Sequence, residues 1–263
     1  MIFLDFGAIW YNNDMKIVFP EMDNLIIREA IRRCPEITAV AANSLDEACQ
    51  MVENGSVDGM VVGIDFTSRE IILKCREHIT MTEKYFSSSF VMRRGEEELI
   101  LADGGVCKNP NEEMLTNIVL QTYETAEKIL TDTPRVAMLS FSTFGSGGDD
   151  PSITKIQKVI ERVVAERPEI LIDGEMQLDA AIVPEVAERK AAGSSVAGRA
   201  NVLICPDLNS GNILYKAMER LGGWTAAGPI LQGFKAPISD LSRGSTVEDV
   251  VLVVKIMEKL IHE

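Results

Sequence analysis

The 263-residue sequence predicts an α/β protein built on mostly parallel strands. Short apolar runs, such as residues 57–63 and 201–205, alternate with longer segments of helical periodicity. Those runs are nearly apolar on both faces, the pattern of strands buried beneath helices on either side. Polar, glycine-containing loops follow several of the strands, where ligands of such sheets bind.

In chain order, residues 16–19 read as a strand and 25–33 as a helix. Residues 38–42 form the next strand, and Ser44 with Glu47 has the spacing of a capped helix start. The run 57–63 is a strand and 68–78 a helix. Residues 85–93 and 98–102 are separated only by 94–97, which predicts an antiparallel hairpin. A long helix is expected over 111–130, then strand 135–141, helix 152–166, strand 170–172 and helix 176–190. Strand 201–205, helix 209–221 and a short strand at 225–227 follow. Ser245 and Glu248 repeat the capping spacing and predict a final helix to about Ile261. Residues 1–12 form an extra strand or interface segment, or else precede a functional start at Met15.

A net charge of −14 argues against a nucleic-acid or anionic-membrane surface, either of which needs a basic face. No apolar run reaches the ~20 residues of a membrane helix. Only His78 and His262 are present, so a histidine metal site or a Ser-His-Asp triad is not expected, and no metal is assigned. Five cysteines without a Cys-x-x-Cys pair, and no visible secretory leader, point to reduced thiols in the cytoplasm. Cys205 ends a strand ahead of a polar loop but has no nearby histidine to activate it, and reads as a buried thiol.

The most informative stretch is Ala236-Pro-Ile-Ser-Asp-Leu-Ser-Arg-Gly-Ser-Thr-Val-Glu-Asp249. Ser242, Arg243 and Gly244 put a hydroxyl, a guanidinium and a flexible backbone side by side, suited to a phosphate or a developing oxyanion. Asp249 falls in the first turn of the following helix, a carboxylate placed to take a proton. Ser142, Thr143, Gly145 and Ser146, between a strand and a helix, have the hydroxyls and glycines of an anion-binding nest. A flexible surface loop ahead of a proline-initiated helix is the competing reading. Asp207, Asn209 and Asn212 gather at a helix start, which capping also explains. Asp173, Glu175 and Asp179 read as a solvated helix N-terminus favoured by the dipole.

Taken in order, Asp173-Gly-Glu-Met-Gln-Leu-Asp, Ser195-Val-Ala-Gly-Arg-Ala, Cys205-Pro-Asp-Leu-Asn-Ser-Gly-Asn, Gly228-Pro-Ile-Leu-Gln-Gly and Pro237-Ile-Ser-Asp-Leu-Ser-Arg-Gly resemble the phosphate acetyltransferase (phosphotransacetylase) and phosphate butyryltransferase family. The resemblance implies two α/β domains, residues 1–80 with 234–263 and residues 81–233, in an isocitrate/isopropylmalate dehydrogenase-like fold with the active site in the cleft between them. It implies transfer of an acetyl or short acyl group between acyl phosphate and coenzyme A, by a homodimer with no bound cofactor. Carried over, Ser242 supports the acyl oxygen, Arg243 holds phosphate and transition-state charge, and Asp249 accepts the thiol proton. Arg220, Thr67, Ser68, Asn209, Gly211 and Asn212, with the Ser142–Ser146 loop, fall at substrate or coenzyme A positions. The chemistry fits: a thiol is only a few per cent thiolate at neutral pH, and one oriented oxyanion donor contributes ~3–4 kcal/mol.

The sequence departs from the family pattern in its N-terminal half, which is shorter than is usual. A family arginine position reads as Leu73, with Lys74 or Arg69 as substitutes. Phe144 replaces a usual lysine, and Gly104 stands where cysteine is common. A non-catalytic acyl-coenzyme A-binding paralogue and a butyryl-transferring enzyme are the alternatives these departures leave open.

Overall fold

The computed structural model describes residues 15–262; residues 1–12, read as an extra strand or a dispensable lead, lie outside them. The chain alternates strand and helix as expected. β1 (Lys16–Phe19), α1 (Leu25–Arg32), β2 (Thr38–Ala41), α2 (Leu45–Glu53), β3 (Gly59–Val62) and α3 (Ser68–His78) come first. β4 (Ser87–Arg94) and β5 (Glu97–Ala102) form the predicted hairpin. Then come α4 (Glu112–Ile129), β6 (Arg135–Leu139), α5 (Pro151–Glu166), β7 (Leu171–Met176), α6 (Leu178–Ile182) and α7 (Pro184–Lys190). β8 (Val202–Ile204), α8 (Leu208–Gly222), β9 (Thr225–Gln232), β10 (Ile238–Asp240) and α9 (Val247–His262) complete the described chain.

Three expectations need correction. The helix expected over 176–190 is a strand up to Met176 and then two short helices, because Pro184 starts a new helix rather than continuing one. The strand at 225–227 extends to Gln232, and a further short strand, β10, lies in what read as loop. The final capping box is displaced by one residue. Thr246, not Ser245, caps α9: its N–H and hydroxyl donate to Asp249 Oδ2 at 2.8 and 2.9 Å, and Asp249 N–H donates back to Thr246 Oγ1 at 3.2 Å. Glu248 instead pairs with Arg33 at 2.9 Å.

All ten strands join one sheet, in the order β2-β1-β3-β10-β9-β4-β5-β8-β6-β7. β2, β1, β3 and β10 are mutually parallel, as are β5, β8, β6 and β7. β9 is antiparallel to both β10 and β4, and β4 to β5. The two parallel portions therefore run in opposite directions, and loops after β3 and β10 leave the sheet at the edge opposite to loops after β5, β6 and β8.

Helices cover both faces. On one face α1, α9, α4 and α5 share a continuous core that spans both portions. On the other, α2 and α3 pack over one portion in a core with Val18, Met60 and Ile238, while α6 and α8 pack over the other with Leu101, Ala137 and Leu203. The second layer is thus divided, with α3 on one side of the division and α8 on the other.

Buried carboxylates organise the loops at the strand ends. Glu21, just past β1 and only 6% exposed, accepts from the backbone N–H groups of Gly63, Ile64, Asp65 and Phe66 at 2.6–3.2 Å. Asp103, just past β5, accepts from Ser88 N–H and hydroxyl and from the N–H groups of Gly105, Val106 and Cys107. Glu175 in β7 accepts from the Ser142 hydroxyl at 2.8 Å and Gly145 N–H at 2.7 Å. Each acid satisfies donors that a tight turn would otherwise bury unpaired. Replacing Glu21 with alanine is expected to cost on the order of 3 kcal/mol or more, since several amides lose their acceptor together; urea unfolding of the native and substituted chains measures it.

Candidate active site

Ser242 and Arg243 stand exposed on the turn that links β10 to α9. The turn is held from within: Ser245 N–H donates to Ser242 O at 2.9 Å, Ser242 N–H to Ser245 Oγ at 3.1 Å, and Gly244 N–H to Ser242 Oγ at 3.2 Å. Its side chains face the first turn of α3, where the charge of Arg243 helps to hold the Glu70 carboxyl below the usual range, after the larger effect of Thr67. Thr67 and Glu70 form a reciprocal capping box on α3, with Thr67 Oγ1 donating to Glu70 at 2.6 Å. The Thr67 hydroxyl is thereby committed to the cap, while Ser68 is exposed beside it.

Arg220 reaches the same edge of the sheet by a different route. α8 starts beyond the carboxyl end of β8 and returns along the sheet, so its last turn lies at the edge where β9 begins and β10 ends. The Arg220 side chain is 71% exposed and, among the described residues, pairs with Glu219 at 3.3 Å. Ser242, Arg243, Asp249, Ser68 and Arg220 therefore share one edge.

The other predicted residues lie at the opposite edge, and apart from Asn209 their polar groups are already engaged. The Ser142–Ser146 loop does form a nest, but Glu175 fills it, which corrects the expectation of a bound anion there. Burial pushes the Glu175 carboxyl up, yet Gly145 N–H, the Ser142 hydroxyl and Gln157 outweigh it, and the group ends below its ordinary value. Glu175 is fully buried and lies with Asp173 in β7, so the reading of Asp173, Glu175 and Asp179 as a solvated helix start holds only for Asp179, exposed in the first turn of α6. Thr143 Oγ1 accepts from Gln177 N–H at 3.0 Å, and Ser146 Oγ from Thr143 N–H at 2.9 Å. Asn212 donates to the Gly104 carbonyl at 3.0 Å, and Asn209 is exposed. Gly211 is a packing glycine: a Cβ there would lie 2.1 Å from the Asp103 carbonyl oxygen.

Two substitutes considered for the displaced family arginine are now separable. Lys74 is bound to Asp46 at 2.6 Å and to Glu77 at 3.1 Å, so its ammonium is committed elsewhere. It also sits on the Asp46 carboxylate within the Asp46, Glu77 and His78 group, the set of acidic and imidazole donors close enough to surround an ion. Arg69 is exposed on the first turn of α3, next to Ser68. Leu73 is itself 52% exposed.

Cys205 is buried at 2% exposure, and burial pushes its thiol up to about 12, as befits an inert thiol. Gly104 lies against the stacked rings of Phe90 and Tyr215, whose centroids are 4.0 Å apart; a Cβ there would meet Phe90 at 2.9 Å.

Two residues that organise loops at the strand ends escaped the sequence reading. Lys155 of α5 donates to the carbonyls of Pro110 and Pro206, both at 3.1 Å, and so ties the β5 and β8 loops together. Asp240 ends β10, two residues before Ser242. It is 2% exposed, and its Oδ1 finds no donor among the described residues. Burial pushes its carboxyl up to about 6; Ser68, close by but outside hydrogen-bonding geometry, partly offsets this, and Glu21 adds to it. An acid within the run Ile-Ser-Asp-Leu was the available signal, since it interrupts an apolar strand.

The strand order, with two parallel portions running in opposite directions through one sheet, defines the dehydrogenase-like α/β class that the sequence led us to expect. The family model for phosphate acetyl/butaryl transferase matches residues 34–258. The phosphate acetyltransferase of Clostridium acetobutylicum is 46% identical over 217 residues, covering 80% of this chain and 65% of that protein. The phosphate acetyltransferase of Bacillus subtilis is 40% identical over 236 residues, covering 87% of this chain and 72% of that protein. The crystal structure of a phosphotransacetylase from Streptococcus pyogenes superposes with a TM-score of 0.84 at 31% identity, over 94% of each chain. The chain belongs to the phosphate acetyl/butaryl transferase family, and its match spans just under two thirds of the length of the Clostridium relative.

Two outcomes follow for the site. Gly211→Ala is expected to destabilise the fold by roughly 1–3 kcal/mol or more through overpacking, visible as a lower Tm with no ligand present. Asp240→Asn tests the buried charge. The folded chain keeps the Asp240 proton to about pH 6 while the unfolded chain loses it near 3.8, so stability falls as pH rises through that window. At ~1.4 kcal/mol per tenfold change in acidity, the ionised group costs on the order of 3 kcal/mol above pH 6. The asparagine variant should be the more stable chain at pH 7.5 and lose that advantage near pH 4, as read from denaturant midpoints.

Proposed function

We propose that the protein is a phosphate acyltransferase that moves an acetyl or other short acyl group between acyl phosphate and coenzyme A. The observation that carries this reading is the exposed Ser242–Arg243 turn at the end of a central strand, with Ser68 and Arg220 at the same edge of the sheet. In an otherwise acidic molecule, Arg220, Arg243 and Arg69 supply positive charge where a phosphate dianion needs it.

The coenzyme A thiol loses its proton and the thiolate sulfur attacks the acyl carbon. A carbon–sulfur bond forms, the carbonyl electrons move to oxygen, and collapse of the tetrahedral intermediate breaks the bond to phosphate oxygen. Ser242 donates to the oxyanion, and Arg243 holds the phosphate oxygens whose charge grows as the bond breaks. Asp249 takes the thiol proton. Its Oδ2 already accepts from Thr246 N–H and hydroxyl, so Oδ1 is the accepting oxygen. The α9 cap fixes the carboxylate, which contributes orientation to the proton transfer.

Arg220, on the far side of the division in the second layer, reaches toward coenzyme A or phosphate. Ser68 remains an exposed contact and Thr67 holds the α3 start beside it, whereas Ser142, Thr143, Gly145, Ser146, Asn209, Gly211 and Asn212 lie at the opposite edge of the sheet and take no part in this step. Coenzyme A is a substrate here, and the chemistry needs no resident cofactor or metal. The protein works as a homodimer in the cytoplasm, in keeping with five buried free thiols and with the absence, among the described residues, of a helix long and apolar enough to cross a membrane.

The test is acetyl-coenzyme A formation from acetyl phosphate and coenzyme A, with butyryl phosphate in parallel. The native chain is expected to turn over acetyl phosphate, and Arg243→Ala to lower kcat/KM by a hundredfold or more. No turnover with either acyl phosphate, together with saturable coenzyme A binding, would replace this reading with that of a regulatory acyl-coenzyme A-binding protein.

A further inference from the structure

A second concave surface lies at the sheet edge away from the Ser242–Arg243 turn. α3 starts beyond the carboxyl end of β3 and runs back along the sheet, so Arg76 sits roughly 12 Å along the helix from Ser68. There the end of α3 meets the loop after β5, the start of α4 and residues 81–86, which carry the chain from α3 into β4. Between them is a cavity of about 400 Å³. That volume falls within the range of ordinary small-ligand pockets.

The floor is apolar and fixed from beneath. Met81, Phe86, Val106 and Met114 line it, all of them half-buried. Val106 packs against two of the hydrophobic cores, which meet here. The Phe86 ring lies 5.7 Å from that of Phe234, and Met81 forms a β-bridge with Phe234. The buried Cys107 thiol donates to the Phe86 carbonyl at 3.4 Å, which ties the linking segment to the β5 loop. Asp103 holds the same loop by accepting from Val106 N–H at 2.9 Å. A floor fixed in this way receives a flat apolar group without first being ordered.

The rim carries positive charge alone. Arg76, Lys84 and Lys108 are the charged residues of the lining, and no carboxylate is among them. The chain has 40 acidic and 26 basic residues, so three cations around one cavity run against its composition. Lys84 is already engaged: its ammonium pairs with Glu113 at 2.7 Å, and the Tyr85 hydroxyl donates to the same carboxylate at 3.0 Å. Arg76 and Lys108 form no ion pair among the described residues; the Arg76 guanidinium instead stands 5.6 Å from the centre of the Phe86 ring, at the apolar floor. Lys108 is anchored by its backbone, whose carbonyl accepts from Leu208 N–H at 3.2 Å, and the residue is exposed.

We propose that this cavity is a second ligand site, which takes a small organic anion with a flat apolar body. The body lies on Phe86, Val106 and Met114. The anionic head, a carboxylate or a phosphate, meets the Arg76 guanidinium and the Lys108 ammonium at the rim. Arg76 stands on α3, over the first parallel portion of the sheet, and Lys108 on the loop after β5, in the second. A bound anion therefore ties the two portions together. Its binding is separate from acyl transfer, since Ser242, Arg243 and Arg220 lie at the other edge.

Calorimetric titration of the full chain with 3-phenylpropanoate and with phenyl phosphate tests the site and separates the two head groups. At least one of them should bind with a Kd of about 1 mM or below, as a ligand of this size allows. Benzyl alcohol has the ring without the charge, and acetate the charge without the ring; each should bind at least about tenfold more weakly. Exchanging both rim cations, Arg76→Ala with Lys108→Ala, should weaken binding about tenfold or more through the loss of two charge-assisted contacts. Both residues are exposed, and an unchanged Tm shows that the substituted chain still folds. Arg243→Ala, which removes the cation of the reaction turn, should keep the affinity within about twofold. The proposal is overturned if neither anion binds saturably at ten times that concentration, or if benzyl alcohol binds as tightly as the anions. Affinity retained without Arg76 and Lys108, or lost with Arg243, overturns it equally. None of these readouts depends on turnover, so the acyltransferase reading stands or falls separately.

Discussion

The fold depends on carboxylates buried among backbone amides. A parallel sheet throws its loops out at the strand ends, and tight loops of this kind turn several N–H groups inward where water does not reach. Glu21, Asp103 and Glu175 answer that constraint with one acceptor group apiece. Hydrogen bonds to an ionised acceptor are about twice as strong as neutral ones, which offsets the cost of taking the charge out of water. The loops that carry chemistry can then be short, because their geometry is set from below. What looks from outside like an anion-binding nest, such as Ser142–Ser146, is in this chain an internal socket already filled.

Asp240 shows what happens where that arrangement is missing. The same sheet edge carries Glu21, which already takes the amides of Gly63, Ile64, Asp65 and Phe66. A carboxyl left in this position raises its own pKa instead of finding a partner. Stability is lost locally, and a group that changes charge close to neutral pH is gained next to Ser68 and the Ser242–Arg243 turn. The backbone of Gly63 passes close beside the acid, where an added Cβ would lie 2.6 Å from Asp240 Oδ1.

Much of the architecture was legible in the sequence. β1 and α3 fall at their expected bounds, and the hairpin of β4 and β5 follows from a turn too short for anything else. The misses have physical causes. β10 is three residues long and its parallel partner, β3, lies far away in sequence, so no local pattern marks it. Thr246 displaces Ser245 as the cap because Glu248 is drawn to Arg33, a contact made between α1 and α9. The Ser242–Arg243 turn was legible because its residue types carry the chemistry on their own. The loss of Lys74 to Asp46, and the filling of the Ser142 loop by Glu175, depend on residues brought in from other elements. Composition showed which loops could bind an anion, and only tertiary structure shows which of them are still free to do so.

The strand order also bears on how the chain is made. β3 takes β10 as its neighbour, although nearly the whole of the second portion of the sheet lies between them in sequence. During synthesis β1, β2 and β3 emerge early with α1 to α3, and β3 must wait with one edge unpaired until β9 and β10 leave the ribosome. Closing so long a loop carries a large entropic toll, and contacts of such separation form slowly. An exposed apolar strand edge is a template for pairing with other chains. The nascent protein is thus most vulnerable to misassembly in the interval before its reaction turn exists, and a holdase that shields an open β edge would act during that interval.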